Sequence, residues 1–179
     1  MGSAEKLHHL KLIVGAVDTT VRRDSFAAPD LASGVPKGTV VEITGPRKYE
    51  WYIAFLKQNP ELRCFWAERQ PQVLPTSLHQ RGVRLENITF GILGDDCFVS
   101  LRKIIQSQVY QVVLTTTPFK ELKMLRAFQL LTEKSNTTLF LAGSKEATNA
   151  WPISLQLNIT QSSRGFKIDV LKQKYGALE

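Results

Sequence analysis

ITGPRKYEWYIAFL, residues 43–56, is the stretch that decides the fold, because it joins a predicted strand to a predicted helix through Gly45-Pro46. The apolar run before the glycine is typical of a buried strand, and the helical pattern that follows stops at Pro60. A phosphate-binding loop begins in the same way. The stretch is therefore a nucleotide site, a degenerate nucleotide site or an ordinary strand-to-helix turn.

The residues that would hold phosphate are replaced in this turn. In the pattern G-x-x-x-x-G-K-[ST] counted from Gly45, Glu50 takes the place of the second glycine, Trp51 that of the lysine and Tyr52 that of the hydroxyl residue. A carboxylate at a helix N-terminus repels phosphate, and an indole cannot neutralise it. We therefore expect no ATP binding and no cofactor at this loop.

Side chains of the same turn leave other uses open. Arg47 and Lys48 would attract an anion, although without a fixed cradle. Beside them, the Trp51 ring could stack on bases or anchor a protein contact. The favoured expectation is that Trp51 and Tyr52 fill the vacated nucleotide pocket, where large side chains supply buried area in place of a ligand.

Strand-like and helical segments alternate along the rest of the chain, which favours βαβ units and a mostly parallel sheet. The predicted strands are 39–44, 62–67, 88–92, 110–114 and 137–141. The predicted helices are 49–58, 72–81, 98–105 and 119–131, with Asp95 or Asp96 as the N-cap of the third. Two alternating strands, 153–159 and 166–171, predict an antiparallel hairpin at the end of the α/β fold. Residues 4–17 predict a short helix and a strand, and residues 18–38 a linker.

The composition fits a globular protein with acidic partners. The net charge of +7 and the pI of about 9.5 favour nucleic acid or an acidic protein face, although a solvated basic surface explains the same charge. No apolar run approaches the roughly 20 residues that span a bilayer, and no signal peptide is recognisable, so we expect no membrane partner and a cytoplasmic location. Cys64 and Cys97 are expected to be reduced and buried, and the adjacent His8 and His9 are not expected to bind a metal.

Six segments together resemble the RecA-type recombinases. These are SGVPKGTVVEITGP, CFWAERQPQVLPTSLHQRGVRLENI, YQVVLTTT, LFLAGS, WPISLQLNIT and FKIDVLKQKYG. In that register Glu68 matches the family's water-activating glutamate, Thr115 stands where the family has its magnesium-associated Asp, and Gly143 stands where it has its allosteric Gln. The resemblance covers about residues 33–176 and implies a RecA-like three-layer αβα core. Residues 1–32 would then form an N-terminal helix, strand and linker, and residues 177–179 a tail that a vector could supply.

The departures from the family imply a protein without catalytic or metal-binding residues. Besides the altered loop, the connections after Thr115 and Gly143 are shorter than the family's DNA-contacting loops, which argues against strand exchange. Without a nucleotide, Glu68 is interpreted as a residual or structural carboxylate. A divergent nucleotide hydrolase that uses Glu68 with Arg47 or Lys48 remains the enzymatic alternative.

A RecA-like core without nucleotide chemistry is similar to two bacterial groups. One is the ImuA family of accessory proteins in damage-induced mutagenesis, and the other is SulA, the division inhibitor that binds FtsZ. The resemblance implies a non-catalytic accessory protein of the DNA-damage (SOS) response that binds RecA, translesion polymerase subunits or DNA. The alternative is a SulA-like inhibitor that binds FtsZ. Assembly with a second copy through residues 4–17 is left open.

Basic residues in three groups are candidates for contact with a partner or with DNA. Arg81 and Arg84 flank Gly82, and Arg102 and Lys103 lie on the polar side of the third predicted helix. The spacing of Lys120, Lys123 and Arg126 predicts one shared face on the next helix. A solvated helix face explains each group when it is taken singly.

Overall fold

A seven-stranded sheet forms the centre of this computed structural model, which describes residues 23–148 and 150–175. The strands are β1 (Ser25–Ala28), β2 (Leu31–Pro36), β3 (Val40–Thr44), β4 (Cys64–Glu68), β5 (Ile88–Ile92), β6 (Val112–Thr115), β7 (Thr138–Leu141), β8 (Leu155–Ser162) and β9 (Gly165–Gln173). The central sheet has the order β5-β4-β6-β7-β3-β8-β9. Its neighbours pair in parallel except β8 and β9, which form an antiparallel hairpin. The predicted α/β class, mostly parallel sheet and C-terminal hairpin are therefore confirmed.

Helices pack on both faces of this sheet. They are α1 (Lys48–Gln58), α2 (Pro75–Gln80), α3 (Cys97–Gln106) and α4 (Leu122–Ser135), with a short 3-10 turn at Leu85–Asn87. Successive residues of a strand point to opposite faces, so Val41 and Ile43 pack in the cluster that contains α1 and α2, whereas Val40 packs with α3 and α4. Burial on both faces explains why the inner strands have nearly continuous apolar sequences.

The N-terminal side of the core differs from the predicted linker. Residues 25–36, part of the linker expected over 18–38, form an antiparallel hairpin of β1 and β2. Phe26, Leu31 and Val35 bury their side chains in the α1 cluster. The hairpin was missed because its strands are short and Pro- and Gly-rich, which is a composition typical of loops. The boundary expected after residue 32 falls inside β2.

The remaining predicted elements are present, most of them with shifted ends, whereas the strand at 88–92 has the predicted bounds. The helix expected over 72–81 begins only at Pro75, which takes the first helical position, where its missing N–H costs nothing. The helix expected from residue 119 begins at Leu122. Asp96 is the N-cap of α3, although its side chain makes no capping hydrogen bond to a described residue. The predictions for residues 4–17, for His8 and His9 and for residues 177–179 lie outside the described residues.

The parallel strands bring the residues that follow β3, β4, β5, β6 and β7 to one edge of the sheet. The chain runs outward from β3 to β4 and β5 and then returns, so that β6 and β7 lie between β3 and β4. In open α/β sheets, ligands bind in the crevice outside this edge, where the strand order reverses. Among the described residues, no helix combines the length and the apolar character needed to cross a bilayer.

Candidate functional site

The turn after β3 requires a glycine for reasons of packing. Gly45 has a φ of 89°, in the left-handed region that favours glycine. A side chain there would collide with the Ile159 carbonyl oxygen and with the Asn158 amide on β8. The Arg47 N–H donates to the same Ile159 oxygen at 3.2 Å, so the turn is fixed to β8. The one glycine that this turn shares with a phosphate-binding loop is thus explained without a phosphate.

Trp51 lies inside the core and not at the strand edge. Its side chain has 0% exposure, and the indole Nε1 donates to the Pro29 carbonyl oxygen at 2.8 Å. The ring stacks on Phe55, with centroids 5.9 Å apart. The acceptor belongs to the connection between β1 and β2, so Trp51 ties α1 to the hairpin. The expectation that Trp51 stacks on bases or anchors a partner is corrected, because the ring presents no surface to either.

Tyr52 is also fully buried, between α1 and the sheet. Its ring packs edge-on against Phe140 at 4.9 Å and Trp66 at 5.4 Å. Its hydroxyl lies 3.3 Å from the Cys64 thiol, and burial raises the pKa of both groups, that of Cys64 to about 12. The prediction that Trp51 and Tyr52 fill the nucleotide pocket is wrong, because both side chains point into the core beneath α1.

A cavity of about 620 Å³ remains at the carboxyl edge of the sheet. Its lining comes from α1 and from the residues that follow β4, β5, β6 and β7. The lining residues are Lys48, Tyr49, Arg69, Gln70, Gln72, Leu93, Gly94, Asp95, Thr116, Ala142, Gly143 and Lys145. The charged residues of this lining are three cations, Lys48, Arg69 and Lys145, and one carboxylate, Asp95. A second cavity of about 240 Å³ shares Arg69 and Asp95 with the first.

Lys48 is the cation that α1 places over the strand ends. Its Nζ donates to the carbonyl oxygens of Ala142 at 2.6 Å and Ser144 at 3.0 Å. Burial lowers the pKa of Lys48, and the charge of Glu42 opposes that shift. The ammonium is therefore committed to the connection after β7. At the helix start, Glu50 pairs with Arg47 at 3.4 Å, which places a carboxylate where a phosphate would approach.

Glu68 organises the loop that follows β4. Its Oε1 accepts from Trp66 Nε1 at 2.9 Å, and its Oε2 accepts from the backbone N–H groups of Gln72 at 2.7 Å and Val73 at 3.4 Å. The carboxylate is almost fully buried. With both oxygens occupied by donors from its own chain, Glu68 is poorly placed to activate water. These contacts support its interpretation as a structural carboxylate.

The positions of the metal-associated acid and of the allosteric Gln are occupied by residues that close the sheet edge. Thr115 is buried, and its hydroxyl accepts from the Thr117 N–H at 3.1 Å, which stabilises the turn after β6. A side chain at Gly143 would collide with the Thr116 carbonyl oxygen, so the turns after β6 and β7 approach each other closely. The residues present fit a nucleotide with its magnesium ion poorly, because Lys48 is bound to two carbonyl oxygens and neither Thr115 nor Gly143 carries a carboxylate.

Glu42 is a buried polar residue that the sequence interpretation missed. Its Oε2 accepts from Gln156 Nε2 at 2.8 Å and from the Thr148 N–H at 3.0 Å. Its Oε1 and the Thr117 hydroxyl oxygen have no hydrogen-bond partner among the described residues, and both residues line a cavity of about 10 Å³. A single water molecule needs about this volume. The sequence does indicate a buried charged residue here, because Glu42 is the one charged residue in the otherwise apolar run from 40 to 43.

The predicted basic groups lie apart on the surface. Arg84 pairs with Glu61 at 3.1 Å, and Arg102 and Lys103 are exposed on α3. Arg81 is exposed at the end of α2. The shared face expected for the last group is corrected in part: Lys120 precedes α4 and lines the second cavity, so only Lys123 and Arg126 are on the helix.

Comparison with known proteins assigns no family to this site. No protein-family model matches the chain, and no curated protein is similar to it at a significant level.

Proposed function

We propose that this chain is a non-catalytic, RecA-like accessory protein of the bacterial DNA-damage response. It acts in repair or translesion mutagenesis by binding RecA, translesion polymerase subunits or DNA, and it does not hydrolyse ATP. The proposal combines the RecA-like order of segments with a strand edge whose nucleotide-binding residues are replaced.

The positions of the six segments support a RecA-like core. The first segment covers part of β2 and all of β3, and the second runs from β4 to the start of β5. The other four segments lie on β6, β7, β8 and β9, in that order. The strand order also differs from that of the dinucleotide-binding fold, in which the first two strands are neighbours. Here β6 and β7 separate β3 from β4.

The observation that supports the proposed absence of nucleotide binding is the burial of Trp51 and Tyr52. They stand at the lysine and hydroxyl positions of the loop, yet both have 0% exposure and pack under α1. A nucleotide could not recruit these positions without unpacking the core. Lys48, the cation in the first turn of α1, is already bound to two carbonyl oxygens.

Two measurements with purified components test the proposal. Isothermal titration with ATP and magnesium is expected to show no saturable binding. Surface plasmon resonance against RecA filaments, translesion polymerase subunits and single-stranded DNA is expected to show specific binding to at least one of them. Tight ATP binding, or no binding to any of the three, contradicts the proposal.

FtsZ is included in the same binding series because a division inhibitor is the alternative function. The net charge of +7 suits an acidic protein partner of either kind. Binding to FtsZ alone, together with filamentous cells on overexpression, would favour the SulA-like alternative.

A further inference from the structure

Trp151 is an exposed aromatic residue with two cations near its ring. Its side chain is 48% exposed, although an indole is normally buried. The Arg126 guanidinium lies 4.7 Å and the Lys174 ammonium 5.5 Å from the ring centroid, both within the range of a cation–π interaction. Lys172 Nζ donates to the Ala150 carbonyl oxygen at 2.9 Å, which anchors the residue before Trp151. The ring is therefore positioned before any partner arrives.

The exposed face of α4 extends this surface. Leu122, Arg126 and Leu130 are four residues apart and lie on one side of the helix. Both leucines are 50% exposed. Scattered apolar residues on a surface are ordinary, but here two leucines flank the arginine that contacts Trp151. We call Leu122, Arg126, Leu130, Trp151 and Lys174 the Trp151 patch.

Positive charge is concentrated at the patch. Burial lowers the pKa of Lys174, and the like charges of Lys172 and Arg126 act in the same direction, whereas Glu133 opposes them. Glu133 is itself paired with Arg23 at 3.6 Å. Among the described residues, neither Arg126 nor Lys174 forms an ion pair, so the patch offers apolar contact area and cations side by side.

We propose that the Trp151 patch binds an acidic, amphipathic segment of a partner protein. Apolar side chains of the segment pack on the two leucines and on Trp151, while its carboxylates pair with Arg126 and Lys174. Trp and Arg are the residue types that dominate binding energy in protein interfaces, and charge-assisted pairs fix the orientation. The inference rests on the proposed function, because it names the kind of partner that such an accessory protein would recognise.

The geometry favours a protein over a nucleic acid at this patch. The aliphatic leucines offer no stacking surface for a base and no donor for a phosphate. Arg126 also lies over the Trp151 ring and covers area on which a base would stack. Single-strand-binding surfaces depend on free aromatic faces.

A peptide selection tests the inference without knowledge of the natural partner. Random peptides of about 15 residues, roughly four helical turns, are selected by phage display against the full chain. We expect acidic peptides with spaced apolar residues. Their affinity, measured by fluorescence anisotropy, should fall about tenfold or more in Trp151→Ala, Arg126→Glu and Leu130→Ala, the effect typical of a residue that carries binding energy.

Matched controls separate the patch from general charge and hydrophobicity. Arg63→Glu makes the same charge change at an exposed arginine before β4, and Leu74→Ala removes a leucine that is 71% exposed. Both should bind the selected peptides like the wild type. Circular dichroism of every variant should match that of the wild type, so that a loss of binding is not a loss of folding.

Other outcomes would overturn the assignment. Peptides that are not acidic, peptides that bind the patch variants as tightly as the wild type, or no peptides at all contradict it. An oligothymidylate of about 20 nucleotides that binds the wild type but not Trp151→Ala would assign the patch to nucleic acid. A dimer in sedimentation analysis that Arg126→Glu dissociates would assign it to a second copy of this chain.

The same variants distinguish failure of the patch from failure of the proposed function. If RecA, a polymerase subunit or FtsZ binds the wild type and all patch variants equally, the patch inference is wrong and the accessory function stands. If none of these proteins binds the wild type, the accessory function is wrong, while the peptide result still decides the patch.

Discussion

Removing the Trp51 ring should destabilise this protein far more than removing the Trp151 ring. Trp51→Ala deletes a side chain with 0% exposure that stacks on Phe55, and it leaves the Pro29 carbonyl oxygen without its donor. Truncation of a buried Trp costs about 3–5 kcal/mol, which includes the cavity left behind. With a urea m-value of about 2 kcal/mol/M, the unfolding midpoint should fall by about 2 M. Trp151→Ala, in a half-exposed position, should shift it by less than about 0.5 M.

Trp51→Phe separates the hydrogen bond from the packing. Phenylalanine keeps most of the apolar contact but cannot donate a hydrogen bond to the Pro29 carbonyl oxygen. The free energy of unfolding should therefore fall by about 1–3 kcal/mol. The assay is urea unfolding followed by far-UV circular dichroism, with m-values compared to verify that each transition remains two-state. If Trp51→Ala leaves the midpoint unchanged in a folded protein, the indole is not part of the core. Burial of Trp51 would then no longer oppose a nucleotide at this loop.

Three further predictions concern other parts of the strand edge and core. Gly45→Ala should lower the free energy of unfolding by at least about 1 kcal/mol, because φ is positive at Gly45 and the new methyl group would meet the Ile159 carbonyl oxygen. The control Gly94→Ala should be nearly neutral, because the space around Gly94 is open. Equal effects of the two substitutions in thermal melts would contradict this prediction. Glu68→Gln should lower the free energy of unfolding by about 1.5–3 kcal/mol, because it weakens the charge-assisted hydrogen bonds from Trp66 and Gln72. An unchanged urea midpoint would argue against a structural role for Glu68. The pKa of Cys64 is raised from 9.0 to about 12, so the unfolded thiol ionises first and stability should fall as the pH rises above 9. Urea titrations at pH 7 and at about pH 10.5 should show a smaller fall in Cys64→Ala than in the wild type, and identical falls would contradict the assignment.

Much of the fold follows from the sequence because periodicity reports which faces are buried. The predicted bounds of the strand at 88–92 match those in the structure, and the predicted start of α1 is one residue late. In both places the apolar pattern agrees with the flanking turns, and for α1 it also agrees with the stop at Pro60. The β1–β2 hairpin could not be found in this way. Its strands of four and six residues contain Gly34 and Pro36, and their pairing is stabilised by contacts to α1, which is distant in sequence.

The candidate site was less predictable because side-chain direction at a helix start depends on the exact register. Trp51 was placed at the phosphate lysine by counting from Gly45, yet the first turn of α1 directs Trp51 into the core and Lys48 toward β7. Sequence spacing defines which residues share a helix face, but not which face meets the sheet. Trp151 was missed entirely, since no pattern around it in the sequence indicates that Arg126 and Lys174 lie beside it.

The turn at Gly45 is fixed by packing contacts of its own. The glycine is required by the approach of β8, and the Arg47 N–H continues the same contact, so both would be retained by packing alone. The positions of a phosphate loop that serve only the ligand have no such constraint. Here they hold Trp51 and Tyr52, which stabilise the attachment of α1 to the hairpin and the sheet. A change of Trp51 to Lys would therefore bury an ammonium beside Phe55 and unfold the protein before it could bind phosphate. Trp51 and Tyr52 therefore serve the stability of the core, so binding of a partner must use other, exposed residues.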